Sequence, residues 1–211
     1  MKEYNGFRGN NTKEHWNQKH TVQYEVNKEY DYSRENESNS LAYIKVANDL
    51  IMQNLDVFKN KSILDVGCAV GKAVNYYKMN MPDVEVTGYD FSAAAIEAAK
   101  IKVPNCNFEQ RDFFEQPIDK DFGAITILET IEHIQEGTNY EILDNILEHC
   151  EYCVLSTVDT EDDCFGEHIS HYKLDTFEKN GYDVIWKSNL SEINMPDGIY
   201  HYIIFLIKGK L

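Results

Sequence analysis

The chain has 211 residues and a mass of 24.5 kDa, the size of one α/β domain with a short appendage. Its 36 acidic and 20 basic residues give a formal net charge of −16, and 43% of the residues are hydrophobic. This hydrophobic content argues against a disordered chain. The acidic balance argues against a nucleic-acid-binding surface, because such surfaces neutralise phosphates with basic residues.

The five cysteines are an odd number scattered along the chain, which is unlike a secreted disulfide framework and fits a reducing cytoplasm. Cys150 and Cys153 have CxxC spacing without a second such pair, and we interpret them as small buried hydrophobic residues rather than a metal or redox pair. No segment has the apolar core of a signal peptide, and none approaches the roughly 20 apolar residues of a membrane span. The sequence therefore predicts a soluble, cytoplasmic protein with no membrane contact.

Residues 1–40 are polar and aromatic, with no clear strand or helix period. We interpret them as an arm or lid whose aromatic and imidazole side chains close over a ligand, and the alternative is a helix packed on the sheet edge. The side chains in question are Trp16, His20, Tyr24, Tyr30 and Tyr32. From Leu41 to Leu55 the apolar positions recur at helical spacing and predict a helix.

Strands and helices then alternate along residues 41–211, which we take as one domain. Strands are predicted at 62–66, 84–89, 106–109, 124–128, 153–157, 182–186 and 200–207, and helices at 70–79, 92–102, 140–150 and 174–180. The alternation predicts an α/β fold with a doubly wound, mostly parallel sheet. In such sheets ligands bind outside the carboxyl ends of the strands, so the residues that follow each strand matter most.

Glycines follow the first strand, in the run Asp65-Val66-Gly67-Cys68-Ala69-Val70-Gly71. Gly67 permits a sharp turn, and Gly71 allows a ligand or the strand to approach the next helix closely. The spacing departs from the dinucleotide fingerprint G-x-G-x-x-G. By itself it does not separate a nucleotide-binding turn from a structural one.

Carboxylates and aromatic rings follow the next two strands. Asp90 ends the second strand, before Phe91 and the predicted N-cap Ser92, and such an acid can accept hydrogen bonds from both hydroxyls of a ribose or serve as a plain cap. Asp112 and Phe113 follow the third strand and suit the amino group and ring face of an adenine. The three features in this order predict a nucleoside-containing cofactor.

With these residues the chain resembles the class I S-adenosylmethionine-dependent methyltransferases over residues 41–211. The resemblance implies a seven-stranded sheet with an antiparallel last strand. It also implies that Asp65, Gly67, Cys68 and Gly71 surround the amino-acid part of the cofactor, Asp90 and Phe91 the ribose, and Asp112 and Phe113 the adenine, with Glu129 nearby. Ala69 stands where the family often has another glycine.

The fourth strand runs into Glu129-Thr130-Ile131-Glu132-His133. Many members of the family carry a similar Glu-x-x-Glu-His motif without a metal, but it also resembles that of the divalent-metal-dependent O-methyltransferases of ubiquinone biosynthesis and of small-RNA 2′-O-methylation. This implies a Mg²⁺ or Mn²⁺ site at Glu129, Glu132, His133 and His168, with His171 in reserve. Such an ion would lower the pKa of a substrate hydroxyl. The alternative is that Glu132 and His133 are structural residues on the first turn of a helix, and that the later histidines line a loop.

Without a metal, His133, His168 or His171 can act as general base, since imidazole titrates near neutral pH. We expect an enzyme that methylates a hydroxyl of a small metabolite or sugar. N-methylation of a small amine without a metal and a non-catalytic cofactor-binding module remain open. The glycine pattern disfavours a Rossmann dehydrogenase, and the charge disfavours RNA as substrate. Residues 112–167 hold sixteen acids and only Lys120, a balance of −15, which favours a cation or a cationic substrate near the motif.

Overall fold

The computed structural model describes residues 12–27, 42–113, 115–159, 167–195 and 198–211. Seven strands form one sheet in the order β3-β2-β1-β4-β5-β7-β6. The first five strands pair in parallel, and β7 pairs antiparallel with both β5 and β6. This is the class I methyltransferase fold, and it confirms the predicted doubly wound sheet with an antiparallel last strand.

The helices and strands follow one another as the alternation predicted. The helices are α1 Lys13–Asn27, α2 Ala42–Asn54, α3 Lys72–Asn80, α4 Ala93–Lys102, α5 Thr138–Glu148 and α6 Thr176–Lys179. The strands are β1 Ser62–Val66, β2 Glu85–Asp90, β3 Asn107–Gln110, β4 Phe122–Leu128, β5 Cys150–Val158, β6 Val184–Met195 and β7 Gly198–Lys208. Short 3₁₀ turns lie at Leu55–Val57 and Ile131–His133.

Two apolar layers sandwich the central strands. Ile63 of β1 belongs to a core with α2, α3 and α4, whereas Leu64 belongs to a second core with α5 and α6. Successive strand residues point to opposite faces, so this division follows from the period of two. Because both faces are covered, β1 and β4 are buried along their whole length. The sheet thus holds the carboxyl ends of its central strands in a fixed plane.

The boundary between α5 and β5 and the end of β6 were predicted wrongly. Cys150 begins β5 instead of ending α5, so that strand starts three residues earlier than its apolar run. β6 extends to Met195, because it is the edge strand of the sheet and its outer residues, such as Lys187, need no apolar pattern. Residues 13–27 form a helix that packs against α4, although residues 1–40 show no helical period. Glu132 and His133 lie on a 3₁₀ turn and not on the first turn of a helix.

Cys150 and Cys153 are both buried, free thiols in the core, as their interpretation as small hydrophobic residues requires. Cys164, Tyr30 and Tyr32 lie outside the described residues. Among the helices of the described ranges, none is both long and apolar enough to cross a membrane.

Candidate functional site

The turn after β1 is hydrogen-bonded to the end of β2. Gly67 and Cys68 donate their amide N–H groups to the Tyr89 carbonyl, at 2.8 and 3.0 Å. Gly67 has φ +75°, and a Cβ there would lie 2.4 Å from Oγ1 of Thr130. Only glycine fits this close approach between the ends of β1 and β4. Gly71, with φ +82°, caps α3 and lies against the ring of Phe108.

The Asp90 carboxylate lies at the end of β2 and is buried. Its Oδ2 accepts the Ala69 N–H at 2.9 Å, and its Oδ1 accepts the Ser92 N–H at 2.8 Å. Burial raises the pKa of Asp90, and the nearby His20 and the two amides oppose the rise. A carboxylate oxygen has two lone pairs, so each oxygen can accept one more hydrogen bond. Ala69 has φ +45° and so adopts the left-handed backbone that glycine adopts readily.

Asp65 lies inside β1, one strand away from Asp90. Its Oδ1 accepts a hydrogen bond of 2.6 Å from the Thr126 hydroxyl on β4. Burial raises the pKa of Asp65 to about 7, with a smaller contribution from the charge of Asp90. Cys68, also predicted beside the cofactor, is buried, with its Sγ next to Gly88.

The end of β3 is joined to that of β2 by hydrogen bonds to two main-chain carbonyls. Arg111 N–H donates to the Asp90 carbonyl at 2.9 Å, and the Gln110 side chain donates to the Phe91 carbonyl at 3.1 Å. Asp112 follows directly, and Phe113 packs against the second core. The residues predicted for ribose and adenine therefore lie side by side along the carboxyl edge of the sheet.

Glu129 begins the turn after β4. It has φ +49°, an unusual conformation for a residue other than glycine, and its Oε1 accepts the Ser156 hydroxyl at 2.8 Å. Burial and the negative charge of Glu132 raise its pKa well above the ordinary value. Backbone strain held by a hydrogen bond to a neighbouring strand is typical of functional turns.

Three of the predicted metal-binding or catalytic residues meet in one cluster. Glu132, His133 and His168 each offer a ligand atom, and these atoms lie within 4.8 Å of one another. Glu132 is 2% exposed, and its Oε2 has no hydrogen-bond partner among the described residues. Burial raises the pKa of Glu132 to about 7 and lowers that of His133 to about 4. Glu129 does not belong to this group, and His171 is exposed.

Residues 167–172 are fastened to the 3₁₀ turn that carries the cluster. The Glu132 carbonyl accepts the N–H groups of Ile169 and Ser170, at 2.9 and 3.1 Å. The Ser170 hydroxyl donates to the Ile134 carbonyl at 2.5 Å. The ring Nδ1 of His133 is 2.8 Å from the Glu167 carbonyl, to which it can only donate. The two segments therefore position His133 and His168 together.

Helix α1 lies over both ends of this edge. Its Asn17 accepts a hydrogen bond of 2.8 Å from the Ser92 hydroxyl, and its Trp16 ring meets the His133 ring at 4.8 Å. His15 and Lys19 bind the Glu167 carboxylate, each at 2.8 Å. The sequence prediction did not include these contacts. Their only trace in the sequence is i,i+4 spacing of His15 with Lys19 and of Trp16 with His20, which places each pair on one helix face.

Comparison with known proteins agrees with this arrangement. Residues 63–151 match the family described as "Methyltransferase domain". The match covers less than half of the chain, and over this segment the chain is similar to methyltransferase domains. The segment contains the glycine turn, Asp90, Asp112 and the Glu129–His133 motif, whereas α1 and His168 lie outside it.

Two curated relatives match parts of the chain. A protein named methyltransferase 235L, of Invertebrate iridescent virus 6, is 32% identical over 74 residues, which are 35% of this chain and 28% of the relative. The (S)-tetrahydroprotoberberine N-methyltransferase of Eschscholzia californica is 29% identical over 133 residues, 60% of this chain and 35% of that protein. The chain thus spans about a third of the length of these relatives.

Among solved structures, the fold is similar to that of magnesium protoporphyrin IX methyltransferase from Synechocystis PCC 6803 with bound S-adenosylmethionine. The TM-score is 0.60 and the identity 12%, over 92% of this chain and 97% of that one. At this identity the likeness concerns the fold.

Proposed function

We propose that the protein transfers the methyl group of S-adenosylmethionine to a hydroxyl group of a small molecule, and that Glu132, His133 and His168 act on the acceptor. The observation that carries the proposal is their meeting within 4.8 Å at the turn that follows β4, two strands away from the β2 end that carries Asp90. The match of residues 63–151 supports the cofactor, and the position of the cluster at the carboxyl ends of the strands supports its role at the acceptor.

In the reaction, the bond between the methyl carbon and the sulfonium sulfur breaks while a bond to the acceptor oxygen forms. Sulfur keeps the electron pair and leaves as S-adenosylhomocysteine, and the hydroxyl proton passes to a base of the cluster. Because the donor is already activated, holding the oxygen in line with the methyl carbon supplies much of the rate enhancement. The Trp16 ring on His133 and the docking of α1 would exclude water from this step.

The same residues fit a divalent cation. One carboxylate and two imidazoles are a suitable donor set for Mn²⁺ and related ions, and the buried Glu132 Oε2 has no partner in the described part of the chain. His133 donates its Nδ1–H to the Glu167 carbonyl, as metal-binding histidines commonly do, and in that tautomer Nε2 carries the lone pair. A bound ion would polarise the acceptor hydroxyl. Glu129, predicted as a further ligand, lies outside the group.

The test begins with calorimetric titration of S-adenosylmethionine and S-adenosylhomocysteine, followed by methyl transfer to panels of hydroxyl and amine acceptors. We expect His168→Ala to abolish transfer to a hydroxyl. His149→Ala is the matched control, since His149 binds Asp121 at the far end of β5. Loss of activity in His171→Ala but not in His168→Ala would assign the base to His171. Absence of cofactor binding would refute the function, and binding without transfer to any acceptor would favour a non-catalytic module.

Metal dependence is measured separately. Activity that is lost in EDTA and restored by Mg²⁺ or Mn²⁺ would support a metal at the cluster. Unchanged turnover in EDTA would remove the metal and leave Glu132, His133 and His168 as a proton-accepting group.

A second candidate is methylation of a small cationic amine. The two buried or half-buried carboxylates at the turn, Glu129 and Glu132, favour it, and one curated relative is described as an N-methyltransferase. A protonated amine releases its proton more readily than a hydroxyl does, and the neutral amine is itself a nucleophile. His168→Ala should therefore reduce transfer to an amine only modestly, which separates the two reactions.

A further inference from the structure

We propose that His20 of α1 is a ribose-binding residue that completes the site at Asp90 by donating a hydrogen bond to a cofactor hydroxyl. This inference rests on the proposed binding of S-adenosylmethionine at the carboxyl edge of the sheet, and it assigns part of the cofactor site to a helix outside the matched domain segment.

The position of His20 is fixed by contacts on either side of it. One turn earlier, Asn17 holds the Ser92 hydroxyl at 2.8 Å, two residues after Asp90. The His20 ring lies 5.9 Å from the Trp16 ring, which in turn packs on His133. Helix α1 also packs along α4, whose N-cap is Ser92. These contacts bring His20 to the end of β2, where its charge and that of Asp90 affect each other.

The buried side chain of His20 has a ring nitrogen without a polar partner among the described residues. The side chain is only 6% exposed, and the nitrogen is Nδ1. A buried ring nitrogen without a partner costs free energy comparable to that of a lost hydrogen bond. Trp16, one turn away on the same face, has an apolar surface for the ring to pack on. The unmatched nitrogen is therefore the feature that packing alone does not explain.

Asp90 and His20 are chemically complementary toward a diol. The Asp90 carboxylate only accepts hydrogen bonds, and after the amides of Ala69 and Ser92 each oxygen has one lone pair left for a hydroxyl proton. A hydroxyl oxygen that donates to Asp90 still needs a donor for its own lone pairs. Burial lowers the pKa of His20, so its ring is neutral at pH 7 and offers one N–H donor. With the proton on Nδ1, the ring of His20 supplies the hydrogen-bond donor that the Asp90 carboxylate lacks.

The consequence is that cofactor binding and the docking of α1 stabilise each other. The ribose would be held from the sheet by Asp90 and from the helix by His20. Because α1 also contacts His133 through Trp16, the same docking closes the acceptor side of the site.

The test measures hydroxyl recognition rather than affinity alone. Calorimetry on the full chain gives the Kd of S-adenosylhomocysteine and of its 2′-deoxy and 3′-deoxy analogues, for the wild type and for His20→Ala, His20→Asn and Asn17→Ala. The wild type is expected to bind one deoxy analogue at least about tenfold more weakly, the equivalent of one good hydrogen bond. In His20→Ala that penalty should become at least about threefold smaller, and the part that remains is due to the hydrogen bond from the hydroxyl to Asp90.

The other variants separate contact from docking. Asn17→Ala loosens α1 but leaves His20, so it should weaken all three ligands alike and keep the deoxy penalty. The amide nitrogen of asparagine can take the position of Nδ1, so His20→Asn should restore part of the penalty. Thermal unfolding of each variant checks that it is folded.

An unchanged deoxy penalty in His20→Ala would overturn the proposal. Tighter binding of S-adenosylhomocysteine by His20→Ala would also overturn it, because the ring would then occupy the ribose position rather than bind the ribose. If the wild type does not bind S-adenosylhomocysteine at all, the proposed function fails first, and the role of His20 fails with it.

Discussion

Replacing Asp65 by Asn should change how the stability of the protein depends on pH. Asp65 is 3% exposed, and burial raises its pKa from 3.8 to about 7. The folded state therefore retains a proton between pH 4 and 7 that the unfolded state has lost. Stability contributed by a group with a raised folded pKa is present at low pH and declines as pH rises through this window.

The size of the effect follows from the shift. A raise of roughly three pKa units corresponds to about 4 kcal/mol of lost stability between pH 4 and pH 8, as an upper bound. Asparagine keeps the acceptor for the Thr126 hydroxyl but carries no charge. The stability of Asp65→Asn, relative to the wild type, should therefore increase by up to about 4 kcal/mol across the same range.

Urea unfolding at pH 4, 5, 6, 7 and 8 measures this difference directly. Other buried acids, including Glu132, contribute to the wild-type curve but cancel when the two proteins are subtracted. Glu97→Gln, on the exposed side of α4, is the control and should give a nearly parallel curve. If Asp65→Asn also runs parallel to the wild type from pH 4 to 8, the Asp65 carboxyl titrates as an exposed group and the reasoning is wrong.

Three further substitutions test the local structure. Gly67→Ala should destabilise the fold by about 2–4 kcal/mol and abolish cofactor binding, because φ is +75° and the new Cβ meets Thr130. Urea unfolding measures the loss of stability, and calorimetry measures the loss of binding. A Kd equal to that of the wild type would contradict the geometry. Ser92→Ala removes the N-cap of α4, whose hydroxyl accepts the Ala95 N–H. The free energy of unfolding in urea should fall by about 1 kcal/mol. An unchanged free energy of unfolding would show that the cap is dispensable. Tyr172→Phe removes the buried hydroxyl that joins Asn139 to the Ile131 carbonyl and should cost about 1–3 kcal/mol, with a larger fractional loss of activity than the exposed control Glu97→Gln. Equal activities would separate this hydroxyl from the cluster.

The sheet and the cofactor edge could be predicted because both depend on local patterns. The apolar run of β1, the glycines after it and the acid at the end of β2 each follow from short-range sequence, and the parallel order then brings them to one edge. The meeting of His168 with His133 could be predicted only from the resemblance. It depends on main-chain hydrogen bonds between Glu132 and residues 169–170, which leave no pattern in side-chain type.

The helix over the site could not be predicted from periodicity for a different reason. An amphipathic helix is recognised by an apolar stripe that faces a core. Helix α1 instead faces polar strand ends, so the face that it buries carries Asn17 and His20, and its docking relies on hydrogen bonds and ring contacts. Such a helix has the composition of a solvent-exposed segment, and a three-dimensional structure is needed to distinguish the two.

In the described part of residues 112–167, the structure distinguishes exposed acids from buried ones. Glu141, Asp144 and Glu148 lie on the exposed face of α5, where salt screens them. Glu132 is buried and Glu129 half-buried at the proposed acceptor site, while Glu167 is ion-paired with Lys19 and contacts His15.

Among the acids of the described residues, we expect Glu129 and Glu132 to contribute most to a preference for a cation, since they act over short distances in a medium of low dielectric constant. It follows that the preference should survive high ionic strength. A preference due to the net charge of −16 would disappear in high salt.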